Sequence, residues 1–341
     1  TGTHKTLNTP WQSIGAKGVV ALASKLMLAL LPPQTSFFKL QMDDQMLGEV
    51  GADPAIKSEL DLSFAKIERT ILESIAASDD RVVIHQALKH LVVTGNALVF
   101  MGKKSLKLYP LNRYVVDRDG NGNVIEIVTK ERINKTLIED LLPKEKGPNN
   151  VSDEYDTQSN QCDIYTHVRR DNNRVVWHQE VFGKIIPNSQ GKAPLDSNPW
   201  IALRFNTVDA EPYGRGRVEE FMGDLKSMES LSQALVEGSA AAAKVVFTVS
   251  PSSTTKPSTL AQAGNGAIIQ GRPDDVGVIT TGGKTADFAT AFQMAQQLER
   301  RLSEAFLILS VRQSERTTAE EVRMTQMELE QQLGGLFSLL T

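Results

Sequence analysis

Gly282-Gly283-Lys284-Thr285 brings together a glycine-rich turn, a lysine and a hydroxyl, the residue types that cradle a nucleotide phosphate. The spacing argues against it, because the position five residues before Gly283, which a phosphate loop fills with glycine, holds Val278. A hairpin turn at the root of a helix explains the string better, and a nucleotide-binding enzyme built on residues 282–285 stands only as the alternative reading. Gly214-Arg215-Gly216 and Gly264-Asn265-Gly266 each lack the third glycine of a dinucleotide fingerprint and read as turns or helix starts.

Metal and hydrolytic chemistry have less to build on. His85 and His90 share a predicted helix, but five residues turn them about 140° apart, so they do not converge on one ion. The chain has 5 histidines in all, none in an HExxH or Ser/His/Asp setting, and its single cysteine, Cys162, belongs to no CxxC pair. The expectation is no catalytic residue, no metal and no cofactor. Glu320 and Glu321 are adjacent acids at a predicted helix start, where they complement the helix dipole. Arg312 and Arg316, with Glu315 between them, lie in a polar segment where arginines either touch phosphates as point contacts or pair with a neighbouring glutamate and water.

The whole chain of 341 residues is 40% hydrophobic and 23% charged, a globular composition with room for two or three cores. A formal net charge of -4 excludes a protein that coats nucleic acid by basicity alone, yet permits a slippery contact with DNA. The longest apolar stretch, 19–31, is interrupted by Ser24 and Lys25 and falls short of the roughly 20 residues that span a bilayer. No membrane association is expected, and no signal peptide. The first residue is Thr1 and the last follows an apolar run, so the expectation is a piece of something longer.

The elements that would position these residues alternate in type. Thr9-Pro10-Trp11-Gln12 forms a capping box that predicts a helix start, and Val19, Leu22, Ala23, Leu26, Ala29 and Leu30 keep helical spacing until Pro32-Pro33. Asp53-Pro54 opens a second helix, whose stripe of Ile56, Leu60, Phe64, Ile67, Ile71 and Ile75 predicts one buried face. A third covers about 79–94, with Gly95 as its stop. Period-two patterns then predict strands at 97–101, 107–116, 124–129, 163–169 and 174–182, turning at Asp119-Gly120-Asn121-Gly122 and Asp171-Asn172-Asn173. A short helix precedes a polar surface loop at 143–161. From Gly216 a long helix carries Val218, Phe221, Met222, Leu225, Met228, Leu235 and Val236, with Glu219, Glu220, Asp224, Glu229 and Glu237 as an acidic surface. It ends in Gly238-Ser239-Ala240-Ala241-Ala242-Ala243, small enough for close approach of a neighbouring helix. Strands and turns fill 245–285. A second long helix follows with Phe288, Phe292, Ala295, Leu298, Leu302, Ala305, Phe306 and Leu309, then the polar segment 310–317, then a helix capped by Thr318 and Glu321 and kinked at Gly334-Gly335.

This order, with particular strings, resembles the portal or head-to-tail connector proteins of short-tailed, podovirus-type phages over nearly the whole chain. The strings are Thr9-Pro10-Trp11-Gln12 with Gly15, Ala16, Gly18 and 22–30; Gly95-Asn96; Tyr114-Val115-Val116; Tyr165-Thr166-His167; and Tyr213-Gly214-Arg215 leading to Glu219-Glu220 and Gly223-Asp224-Leu225. Gly271-Arg272-Pro273 and the run Arg312, Glu315, Arg316, Thr318-Ala319-Glu320-Glu321, Arg323 complete them. The resemblance implies an α+β, helix-rich portal fold. Its wing of helices and small antiparallel sheets would cover 1–213, its two stem helices 214–243 and 286–309, its β-containing clip 244–285, its tunnel loop 310–317 and its kinked helix 318–341, with an N-terminal segment and the crown missing.

It further implies a non-enzymatic, dodecameric ring at the capsid vertex of the virion, assembled in the host cytoplasm, through which double-stranded DNA is packaged and ejected. Terminase, tail adaptor and capsid proteins would be its partners. Arg312, Glu315 and Arg316 would line the channel, Ala240, Ala241, Ala242 and Ala243 would pack between subunits, and Arg272 and Asp274 would face partners on the clip. Acidic helix surfaces suit a bore that DNA must pass without sticking.

Overall fold

The computed structural model describes residues 9–32, 36–41, 54–103, 105–134, 137, 161–242, 246–253, 255–264, 268, 270, 272–279 and 285–308. It is a mixed helix and sheet protein whose chain separates into two units, Lys17–Glu220 with Phe306–Thr341, and Thr1–Ala16 with Phe221–Ala305. The loop expected at 143–161, save Gln161, which the structure places in a strand, the tunnel loop and the kinked helix lie outside the described residues.

In the larger unit, α1 (Ile14–Leu30, its first three residues counted with the other unit) buries Leu22, Ala23 and Leu26 of the predicted stripe, and Met27 beside them, whereas Val19 and Leu30 are half-buried and Ala29 stays exposed. The helix begins at Ile14, later than the Thr9 capping box predicts; Gln12 supplies the cap instead, its Oε1 accepting the Gly15 N–H at 3.2 Å. Helix α2 (Pro54–Ala77) departs from expectation more sharply. Leu60, Phe64 and Ile75 are only half-buried, and Ile67 and Ile71 are exposed, so the predicted buried face is only partly covered among the described residues. Helix α3 (Asp80–Thr94) ends as expected at Gly95, which is left-handed at φ 73° and donates its N–H to the Leu91 carbonyl at 2.9 Å.

Strand β1 (Asn96–Met101) is central in a three-stranded antiparallel sheet between β2 (Leu106–Tyr109) and β9 (Trp200–Arg204). The run 107–116 that reads as one strand is two, because Pro110 offers no N–H to a ladder and leads into a 3-10 turn, Leu111–Arg113. Its second half, β3 (Tyr114–Arg118), starts another antiparallel sheet with β4 (Val124–Asn134), β5 (Gln161–Asp171), β6 (Arg174–Val181) and β7 (Lys184–Ile185), while β8 (Gly191–Pro194) also pairs with β6. The Asp119 turn is fastened by its own carboxylate, which accepts the N–H of Asn121 at 3.0 Å and of Asn123 at 2.7 Å. Along β5, buried Cys162, Ile164, Thr166 and Val168 alternate with wetter neighbours. The unit's core joins Leu98, Tyr109, Trp200 of one sheet to Tyr114, Val116, Ile127, Val168, Val175 of the other. Burial raises the Tyr109 and Tyr114 hydroxyls well above their ordinary range, with Glu131 adding to the effect at Tyr109 and Tyr213 at Tyr114. The unit's last helix is the single turn α4 (Arg217–Glu220).

In the other unit, α5 (Met222–Ala242) and α7 (Thr285–Ala305) pack as a pair, each 21 residues long. The long helix expected from Gly216 is thus broken at Phe221, a break for which nothing local gives a reason. Between them come β10 (Val246–Val249), the short helix α6 (Pro257–Gln262), a 3-10 turn at Pro273–Asp275 and β11 (Val276–Ile279), which pairs antiparallel with β10. Strands and a turn match the sequence pattern there; α6, opened by Pro257, was not legible amid the Ser, Thr and Gly around it.

Candidate functional site

The residues expected to touch DNA, Arg312, Glu315 and Arg316, lie outside the described residues, but the chain leading to them is held firmly. Helix α7 stops at Ala305, four residues before the apolar run predicted its end, and Leu307 takes a left-handed φ of 53°. Phe306 is fully buried against Gly18 of α1, where a Cβ would come within 2.6 Å of the ring. One residue on, the Leu307 carbonyl accepts the Lys25 ammonium, whose pKa is lowered by burial. Gly18 and Lys25 both belong to the strings that carry the resemblance; their role is to anchor the departing chain.

A second pair of those strings meets at a glycine crossing. Asn96, 2% exposed, donates through Nδ2 to the carbonyls of Thr94 (2.8 Å) and Gly214 (2.7 Å), and its Oδ1 accepts the Gly214 N–H at 2.7 Å. Gly95 and Gly216 leave no room for a side chain: a Cβ would sit 2.3 Å from the Arg215 carbonyl carbon in the first case and 2.4 Å from the Val93 oxygen in the second. The Tyr213 hydroxyl accepts the Val116 N–H at 3.2 Å, and Arg118 donates to the carbonyls of Pro212, Gly122 and Ala202. The turn before α4 is thereby bound to both sheets.

The acidic surface expected along the helix from Gly216 is neutralised in part, at three of its five acids. Glu219 pairs with Arg215 at 3.5 Å, Glu220 with Arg217 at 3.1 Å and Asp224 with Arg301 at 2.8 Å, while Glu229 accepts the Trp11 N–H at 2.8 Å. Ala240 and Ala241 are exposed, and the side chains of Ala242 and Ala243 lie outside the described residues. Just before them, Gly238 meets the Phe288 ring so closely that a Cβ would lie 2.4 Å from it. Part of the small-residue run thus serves the contact between α5 and α7 of one chain.

At the tip between β10 and β11, Arg272 and Asp274 are both exposed. The carboxylate that shapes this turn is the next one, Asp275: it accepts the Arg272 N–H at 3.0 Å and faces the buried Thr255 hydroxyl at 3.5 Å. Sequence reasoning missed it, although an aspartate three residues after the residue preceding a proline is a capping signal.

His85 and His90 are not brought together on a ligand. His85 Nε2 lies 3.2 Å from the Ser24 hydroxyl; burial, then Lys89, lowers its pKa, and burial alone lowers that of His90. Two other histidines are neighbours instead: on the wet face of the large sheet His167 bonds Glu126, His178 bonds Glu180 at 2.8 Å, and the rings meet edge to face at 5.2 Å. Among the described residues no group of His, Cys, Asp and Glu has the geometry to hold a metal ion, and no helix is long and apolar enough to cross a membrane. Gly282, Gly283 and Lys284 lie outside the described residues, and Thr285 opens α7.

A family model described as bacteriophage head to tail connecting protein matches residues 2–341. The portal protein of Escherichia phage T7 is 38% identical over 344 residues, covering 98% of this chain and 63% of its own. The portal protein of Enterobacteria phage T3 is 39% identical over 345 residues with the same coverage, and that of Enterobacteria phage SP6 is 28% identical over 357 residues, 99% of this chain and 66% of its own. This chain therefore spans about two thirds, and no more, of the length of these relatives. Among solved structures, the neck of an empty gene transfer agent particle is similar at a TM-score of 0.46 and 9% identity, over 96% of this chain and 78% of that one, too remote to add weight. With the connector model matched from residue 2 to the last residue, the chain belongs to the family of bacteriophage head to tail connecting proteins.

Proposed function

We propose that this chain is the ring-forming part of a portal, a structural conduit at the capsid vertex through which double-stranded DNA is packaged and ejected. The relatives at 38% and 39% identity are portal proteins along 98% of this chain, and that observation carries the reading. The structure supports it through the α5–α7 pair: the two helices bury one face against each other, yet leave Val236, Phe292 and Met294 more than half exposed. Apolar side chains on the outer flanks of a helix pair suit packing against further copies.

In this reading residues 1–213 form the wing, 214–243 and 286–309 the stem, 244–285 the clip, 310–317 the tunnel loop and 318–341 the kinked helix. Copies close into a ring, twelve by resemblance, with Ala240 to Ala243 near the crossings between them. Terminase during packaging, and the tail adaptor later, bind the projecting clip, while capsid proteins surround the wing. The role is mechanical, and nucleotide hydrolysis belongs to the separate terminase. Electron microscopy of the purified protein tests the reading: closed rings with a central channel are expected, and a protein that stays monomeric at every concentration imaged would overturn it.

A further inference from the structure

The α5–α7 pair carries a groove of about 650 Å³ on one flank, with Leu231, Met294 and Leu298 as its apolar part and Lys226 and Arg301 as its cationic part. On α7 these alternate with an exposed stripe of different chemistry. Phe292, 55% exposed, stands two residues before Met294, and Glu299 stands two residues before Arg301. Two residues are about 200° of helix rotation and about 3 Å of rise. Phe292 and Glu299 thus point to the flank opposite the groove, at nearly the same height as the groove residues they neighbour in sequence. Val236 of α5, 53% exposed, is turned by about 140° from Leu231 and so also away from the groove.

The spacing matches as well as the height. Phe292 and Glu299 are seven residues apart, as are Met294 and Arg301, about 10 Å along the axis in each case. One flank therefore presents an apolar knob and an acid in the same order and at the same separation as the apolar and cationic ends of the groove on the other.

We infer that the groove receives the opposite flank of a second copy of this chain, with Phe292 of that copy seated on Met294, Leu231 and Leu298, and its Glu299 facing Lys226 and Arg301. Such a contact is heterologous, one surface meeting a different one, and it leaves each copy with a free groove and a free flank. Because the two surfaces lie at the same height, successive copies are related by rotation with little translation, which closes a ring instead of building a filament. The inference deepens the portal reading by naming the contact between stems. It does not depend on what passes through the ring.

The test uses the charge pair and a cross-link. Arg301 already holds Asp224, so the reversal is placed on Lys226. Native mass spectrometry of Lys226→Glu or Glu299→Lys should show the concentration at half assembly raised about tenfold, and the double variant should return close to the parent value. Phe292→Cys with Met294→Cys should give, on oxidation, a ladder of linked chains on a non-reducing gel, since the two cysteines point apart on one helix and cannot bridge within it. Phe292→Cys alone should give none; the native Cys162 is buried. Cross-linked dimers from Phe292→Cys alone would overturn the inference, because they mean that like meets like. Rings seen by electron microscopy that ignore both reversals and yield no ladder would overturn it too, while leaving the portal reading intact. A ladder and a rescue in a protein that never closes rings would uphold the groove and overturn the portal reading.

Discussion

Asn96 shows how one side chain does work that backbone alone cannot. The turn at Gly214 runs past the end of α3 with its N–H and carbonyl buried and facing no ladder partner, and the Asn96 amide satisfies both. Asn96→Ala would leave them unpaired. We expect it to cost about 1–3 kcal/mol in urea unfolding of the chain, with Asn96→Asp no better because a buried charge replaces the lost donor. A loss under about 0.5 kcal/mol would mean that water replaces the amide at that site. The surrounding glycines act by omission: Gly18, Gly95 and Gly216 each sit where a Cβ would meet another segment within 2.6 Å. Gly18 and Gly95 were visible in the sequence within the resemblance strings, and Gly216 only as a turn or helix start. The reason for them was not, because a close approach between residues over a hundred positions apart leaves no local pattern.

Helix and strand periods told most of the elements in advance, since each reflects a local rule. Helix α3 with its Gly95 stop, the Asp119 turn and the β5–β6 hairpin were all legible. What local pattern cannot report is what covers a face. The stripe of α2 is as periodic as that of α1, yet Ile67 and Ile71 are exposed while Leu22 and Leu26 are fully buried. Likewise the acids of α4 and α5 read as a charged surface; the pairs of Arg215 with Glu219 and Arg217 with Glu220 are local, four and three residues apart, but only the fold brings Arg301 to Asp224. The tip between β10 and β11 offers a test at this scale. Asp275 holds the turn together, whereas Arg272 and Asp274 face outward. Reversing both exposed charges should leave melting unchanged and abolish pull-down of terminase or tail adaptor, if this surface is where they dock. Binding of both partners unaltered by the reversal would remove it from the docking surface. Asp275→Ala, by contrast, should destabilise the tip itself by about 1 kcal/mol.

A ring multiplies what one chain presents, and this matters most where the chain presents charge. In the proposed ring, a formal net charge of -4 per copy, with Glu219, Glu220 and Asp224 already paired, would give a bore that neither grips nor strongly repels DNA. Against that background Arg312 and Arg316 would count for more than their number. Before their segment in sequence, Phe306 and Leu307 are buried, Phe306 against Gly18 and the Leu307 carbonyl bonded to Lys25. Repeated round the proposed ring, two arginines per copy would form a cationic collar able to make several transient phosphate contacts at once. Glu315 between them would limit the grip by pairing with whichever arginine is off the DNA. The role expected of such a collar is to retain packaged DNA and not to drive it. Arg312→Ala with Arg316→Ala should leave ring assembly intact and let packaged DNA leak. The leak relative to the parent should be greatest at low salt, where each lost phosphate contact counts most, and should narrow as salt screens the contacts in both. Retention is read as genome-length DNA protected from nuclease after packaging. Full protection by the double variant at low salt would leave the two arginines as solvated partners of Glu315, and the brake on DNA would have to be sought elsewhere in the ring.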